Sequence, residues 1–146
     1  MRGTSYKLQV TSYEGELIHL HSIYMKTHKD LKVWQSAIEM VTKVYTITKN
    51  FPKEEMYGLI SQIRRAAVSV PSNIAEGCGR NSAKELIQFL YYSMGSLSEL
   101  ETQFTIAQNL DYITINEKQT IDQLFQEQFK MLSAFIQSIK KSHSSL

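Results

Sequence analysis

Apolar positions between residues 31 and 51 fall on two seams of a single helix. Leu31, Trp34, Ile38, Val41, Tyr45 and Thr48 step by three and four, and so do Val33, Ala37, Met40, Val44, Ile47 and Phe51. At about 100° per residue the seams lie roughly 110° apart, with charged and amide residues filling the remaining arc. A helix capping a small core needs one stripe. Two stripes predict neighbours on two sides, within the chain or between chains. The second seam therefore nominates Val33, Ala37, Met40, Val44 and Ile47 as oligomer-interface residues. Asp30 is the expected N-cap, and Asn50-Phe51-Pro52 the expected stop.

Three further helical patterns follow. Met56, Leu59, Ile60, Ile63, Ala66, Ala67, Val70 and Ile74 form the stripe of a second helix, with Glu54 and Glu55 at its positive dipole end. Pro71 lies inside this stripe, which resumes in phase at Ile74, so a kinked but continuous helix is expected. Gly77-Cys78-Gly79 should end it, with glycine accepting a left-handed conformation. Asn81 or Ser82 can cap a long third helix reaching Asn109, and Glu85 suits a capping box with Ser82. Gly95 and Ser96 in its middle predict a close helix approach. A fourth helix should start at Asn116 and run to about Ser142 on a stripe that includes Ile121, Phe125, Leu132, Phe135, Ile136 and Ile139. Short connections between long helices predict an all-α, antiparallel up-down four-helix bundle with a proline-kinked second helix and a long third helix.

Residues 1–25 do not match this pattern. Tyr6, Leu8 and Val10 alternate with polar residues, a weak strand or hairpin signal turning at Glu14-Gly15. The alternative is a poorly ordered extension, with translation beginning at Met25. The expected division is an N-terminal extension at 1–25 and a bundle domain at 26–146.

Composition narrows the class. The chain has 146 residues, enough for one domain, and its two prolines and six glycines suit long helices. The single cysteine, Cys78, rules out an intrachain disulfide and makes the reducing cytoplasm the expected location. No run of 18 apolar residues is present, so no membrane span or membrane partner is expected. No signal peptide is legible at the start.

The net charge of +2 hides an asymmetry. Residues 26–84 carry ten basic and five acidic side chains, whereas residues 85–146 carry four and seven. The basic half offers Lys32, Lys43, Lys49, Lys53, Arg64, Arg65, Arg80 and Lys84 as nucleic-acid-binding candidates. Arg80 and Lys84 flank the start of the third helix, where free N–H groups also favour anions. Tyr57, Tyr91 and Tyr92 could stack on bases or fill subunit interfaces. The bland alternative is mutual neutralisation of the two halves. Glu101 sits at the edge of the third helix's apolar face, where an unpaired carboxylate is costly. A structural ion pair of Arg64 or Arg65 with Glu101, across helices or across subunits, competes with direct phosphate contact by those arginines.

Long strings carry a family resemblance. They are Asp30-Leu31-Lys32-Val33-Trp34-Gln35, the run from Tyr57 through Ser61-Gln62-Ile63-Arg64-Arg65-Ala66-Ala67 and Pro71-Ser72-Asn73-Ile74-Ala75-Glu76 to Gly77, and Gly95-Ser96-Leu97-Ser98-Glu99-Leu100-Glu101-Thr102. Over residues 26–140 the chain resembles bacterial four-helix bundle proteins encoded in intervening sequences of 23S rRNA genes. The resemblance implies a homopentamer with a central channel. It also implies likeness to the accessory variability protein of diversity-generating retroelements, whose partners are nucleic acid and a reverse transcriptase. No reverse-transcriptase signature lies in this chain.

Chemistry is sparse. His19, His21, His28 and His143 lie at the ends, and only His19 with His21 has a metal-like spacing, without further ligands. No Glu-x-x-His pair supports a di-metal bundle site. Gly77-Cys78-Gly79-Arg80 lacks the lysine and the preceding strand of a phosphate loop. The expected protein is non-enzymatic, cofactor-free and self-associating. It is either a nucleic-acid-associated accessory protein or a protein-binding scaffold. The first reading anticipates losses when Arg80 and Lys84 become glutamate.

Overall fold

A computed structural model describes residues 27–144. It contains four α-helices: α1 Lys32–Thr48, α2 Leu59–Cys78, α3 Ala83–Asn109 and α4 Ile115–Ser144. Short 3-10 turns at His28–Asp30 and Lys53–Glu55 lead into α1 and α2. There is no strand among the described residues. The proposed hairpin, the Met25 start and the His19/His21 pair lie outside them.

The helices close a ring in which α1 touches α2 and α4, and α3 touches α2 and α4, with the α2–α3 contact the most extensive. Paired positions run in opposite order along neighbours. Val70 meets Ser93 while Gly77 meets Leu86 and Phe89. Phe104 meets Phe125 while Tyr91 meets Lys140.

The core is a continuous apolar column of Ala37, Met40, Val44, Ile63, Val70, Ile74, Leu90, Leu97, Phe104, Ile121, Phe125 and Leu132 with their neighbours. This corrects the interface assignment on α1. Val33, Ala37, Met40, Val44 and Ile47 are all buried inside their own chain. The other seam is mixed: Leu31 and Thr48 at its ends are buried, Trp34 and Val41 are half-buried, and only Ile38 (40%) and Tyr45 (38%) are exposed. Burial centres on the Val33–Ile47 seam, while Arg64 of α2 reaches Tyr45 and Thr48 on the other.

Helix ends also differ from expectation in instructive ways. Asp30 does not cap α1; it closes a capping box with Thr27 around the preceding 3-10 turn. α1 stops at Thr48, before Phe51, which turns inward onto Phe104 and Tyr112. α4 is capped by Thr114 rather than Asn116: the Glu117 N–H donates to Thr114 Oγ1 (3.2 Å) and the Thr114 N–H to Glu117 Oε2 (3.0 Å). Those bonds, with the Thr114 backbone contribution first, hold the Glu117 pKa below its ordinary value.

α3 starts on Ser82, whose Oγ accepts from the Glu85 N–H (3.2 Å) and donates to Glu85 Oε2 (2.8 Å). Its other end is a Schellman-type stop. Asp111 is left-handed at φ 57°, and the Tyr112 N–H donates to the Ala107 carbonyl (2.9 Å).

The glycines exchange roles. Gly79 at the end of α2 keeps a right-handed backbone, φ −84°. Gly77 lies within α2 and is there for space: an added Cβ would sit 2.9 Å from Phe89 Cβ and 3.0 Å from Leu86 Cδ1. Gly95, expected at a close approach, is exposed, and a Cβ there would meet nothing within 4 Å. α2 continues unbroken through buried Pro71. Beside that proline, the buried Ser93 hydroxyl donates to the Val70 carbonyl (2.8 Å), satisfying a polar group the core could not otherwise hold.

Candidate nucleic-acid interface

The basic candidates do not form one patch. All are exposed except Arg64, which is half-buried. Lys32 and Lys49 bracket α1, about 25 Å apart at 1.5 Å per residue. Lys43 lies on the outer arc of α1, close enough to Glu117 for its charge to help lower that carboxyl's pKa. Lys53 sits in the turn before α2. Arg64 and Arg65 lie on the first half of α2, whereas Arg80 lies just past its far end, about 24 Å from Arg64 on the same rise, and Lys84 lies in the first turn of α3.

The structure brings two of these residues together, in a groove of about 750 Å³ along α1 and α2. Tyr45, Met56, Tyr57, Ile60, Ser61, Arg64, Arg65, Val68, Ser69, Ser72 and Asn73 line it. The lining holds two guanidinium groups and no carboxylate. Local structure explains the placement. Glu55 Oε2 accepts the Leu59 N–H (2.9 Å), capping α2 with a carboxylate where the helix dipole favours one. Gly58 has no Cβ, and one placed there would lie 2.5 Å from that carboxylate oxygen. The Tyr112 hydroxyl donates to Glu55 Oε1 (3.2 Å) and ties the same turn to α3 and α4. Desolvation and the Glu55 carboxylate raise the Tyr112 phenol above its ordinary pKa.

The anticipated ion pair with Glu101 is not made within the chain. Arg64 turns towards α1: its Nε donates to Thr48 Oγ1 (3.0 Å), and its guanidinium lies 4.6 Å from the centroid of the Tyr45 ring. Glu101 belongs to α3, on the other side of α2, and no ion pair joins it to Arg65. Arg80 is neutralised instead. It bonds to Glu76 one turn back and lies 4.7 Å over the Phe89 ring. Lys84 is exposed at the same corner.

Sequence reasoning missed Thr48 and Tyr45 as partners of Arg64. The signal was their shared seam on α1, on which Tyr45 is exposed and Thr48 is a buried polar residue in need of a partner. Of the tyrosines named earlier, Tyr57 lines the groove and is 97% exposed. Tyr91 lies under Lys140 at 5.4 Å, and Tyr92 packs edge-on against Phe89.

No cluster of three or more metal-ligating side chains exists among the described residues. Cys78 is partly buried, and that burial pushes its thiol up to about 11, against a nucleophilic role. No helix of the described residues is long and apolar enough to cross a membrane.

A search of curated proteins returns no match. A family model does match, described as 23S rRNA-intervening sequence protein, over residues 29–134. That span covers α1, α2, α3 and most of α4, including the groove and both of its arginines. The chain therefore belongs to the 23S rRNA-intervening sequence protein family, with the four-helix, all-α architecture its periodicity predicts.

Proposed function

We propose that this chain is a non-enzymatic, cytoplasmic, self-assembling bundle that acts as a nucleic-acid-associated accessory protein. The observation that carries the reading is the groove between α1 and α2, where Arg64 and Arg65 stand with no carboxylate beside them. Cations left without an anion, next to exposed aromatic side chains, suit a polyanionic partner with stackable bases. Self-assembly is supported by exposed Ile38 on α1 and by exposed Tyr92 and Ile106 on α3. The family resemblance makes a pentamer the expected assembly, and repetition would multiply a weak patch through avidity.

Binding of labelled RNA or DNA at low salt tests the proposal. Affinity should fall steeply with added salt and fall further in Arg65→Glu. Absence of binding at low salt rejects it.

A scaffold that binds a protein, such as a reverse transcriptase, is the second reading. Exposed Leu110 and Ile115, clustered at the α3–α4 turn, favour it. It predicts a polypeptide partner whose retention is indifferent to nuclease.

A further inference from the structure

The groove offers more than charge. Arg64 is held on two sides, by a hydrogen bond from Nε to Thr48 Oγ1 (3.0 Å) and by the Tyr45 ring at 4.6 Å. Thr48 is itself fixed: it is 1% exposed, and its hydroxyl donates to the Tyr45 carbonyl (3.3 Å). The guanidinium is thus oriented by its inner edge and one face. Its two terminal nitrogens make no hydrogen bond or ion pair among the described residues. A planar fork with free N–H groups matches two oxygens of a phosphate, and its orienting cost is already met by folding.

Tyr57 lines the same groove with its ring almost wholly in solvent, and Met56 and Val68 add exposed apolar surface. Phosphates alone have no use for that surface. Bases do, but only where their faces are unstacked. A duplex presents phosphates and groove edges; a single strand presents phosphates and faces together.

We propose that the α1–α2 groove is a single-strand site, with the Arg64 fork taking a phosphodiester and Tyr57 stacking on a neighbouring base. This rests on the nucleic-acid reading above and adds the class of strand. Arg65 supplies a second, less constrained charge at the rim.

Anisotropy titrations of the full chain with a short labelled oligouridine and with an RNA duplex of equal length test it. The single strand should bind about tenfold more tightly than the duplex, because stacking is available only to it. Tyr57→Ala should remove about that advantage while leaving duplex affinity and salt slope unchanged. The substitution is safe for folding because the ring is exposed. Arg64→Lys, which keeps the charge and loses the fork, should weaken single-strand binding several-fold. Equal strand and duplex affinity with a silent Tyr57→Ala would overturn the single-strand site while leaving salt-dependent binding, and so the broader function, intact. Absence of all binding would remove both. A change in sedimenting mass of Tyr57→Ala without a change in affinity would assign the groove to contact between copies and overturn the proposal.

Discussion

The two ends of α2 each place an arginine over an aromatic ring, at nearly the same distance, yet the two sites differ in charge. Arg64 lies 4.6 Å from Tyr45 and Arg80 lies 4.7 Å from Phe89. Arg80, just past the end of α2, is bonded to Glu76 in that helix's last turn. Arg64 is bonded to a neutral threonine hydroxyl from another helix. Stacking on a ring is therefore common to both and cannot distinguish a binding cation from a structural one. What distinguishes them is the second partner: a carboxylate cancels the charge, whereas a hydroxyl orients it and leaves it available.

The ends also differ in packing. Near Arg80, α2 and α3 approach so closely that Gly77 has no room for a methyl group. Gly77→Ala should therefore cost about 2 kcal/mol of stability, as small-to-large changes in packed sites do, seen as a lower denaturant midpoint. An unchanged midpoint would mean that this end is not tightly closed.

The charge contrast is sharpened by exchanging each arginine for glutamate. Arg65→Glu in the open groove should weaken single-strand binding about tenfold, or about 1.4 kcal/mol. Arg80→Glu should change it less than about threefold, since that position lies about 24 Å from Arg64, beyond the screening length of about 10 Å. Equal losses at both ends would erase the distinction drawn here.

Gly95 provides the counterpart to Gly77. With open space around it, Gly95→Ala should raise stability by about 1 kcal/mol through helix propensity alone. A loss in thermal melting would instead reveal a neighbour at that face in the assembly.

Smaller effects should follow from Glu76→Gln. It should cost about 0.3–0.5 kcal/mol of stability, the usual worth of an exposed pair one turn apart, while freeing Arg80 and raising nucleic-acid affinity slightly. The smallest concerns pH. The Glu117 carboxyl is held below its ordinary pKa by its bonds to Thr114. Its contribution is present at neutral pH and is lost as pH falls from the ordinary carboxylate range through the lowered value. Thr114→Ala should flatten that acid-side loss in a melting series.

Much of the bundle was legible from periodicity. The α2 stripe from Ile60 to Ile74 and the α4 positions Ile121, Phe125, Leu132 and Ile136 face inward as their spacing requires, whereas Met56 is 46% exposed. The errors are equally specific. On α1 two seams were visible, but the one chosen as an outer interface is the inner one. Three- and four-residue spacing identifies a face without saying which helix covers it. The helix-end signals misled similarly. Glycines at 77 and 79 suggested a left-handed stop, yet the left-handed residue is Asp111, and Gly77 serves close packing. A glycine after an apolar run reads the same whether it is there for backbone freedom or for space.

The candidate site was half legible. Arg64 and Arg65 stood out as paired cations, and Tyr57 as a stray aromatic. The contact of Arg64 with Tyr45 and Thr48 was not visible, because these partners lie 16 or more residues away on a different helix.

The order of apolar and polar residues determined that this chain forms four long helices and which side chains avoid water, since those choices depend on local spacing and on solvent. Only the tertiary structure decided which seam of α1 is interior, which arginine keeps its charge and which glycine is indispensable. Each of those depends on what a neighbouring helix brings within a few ångströms.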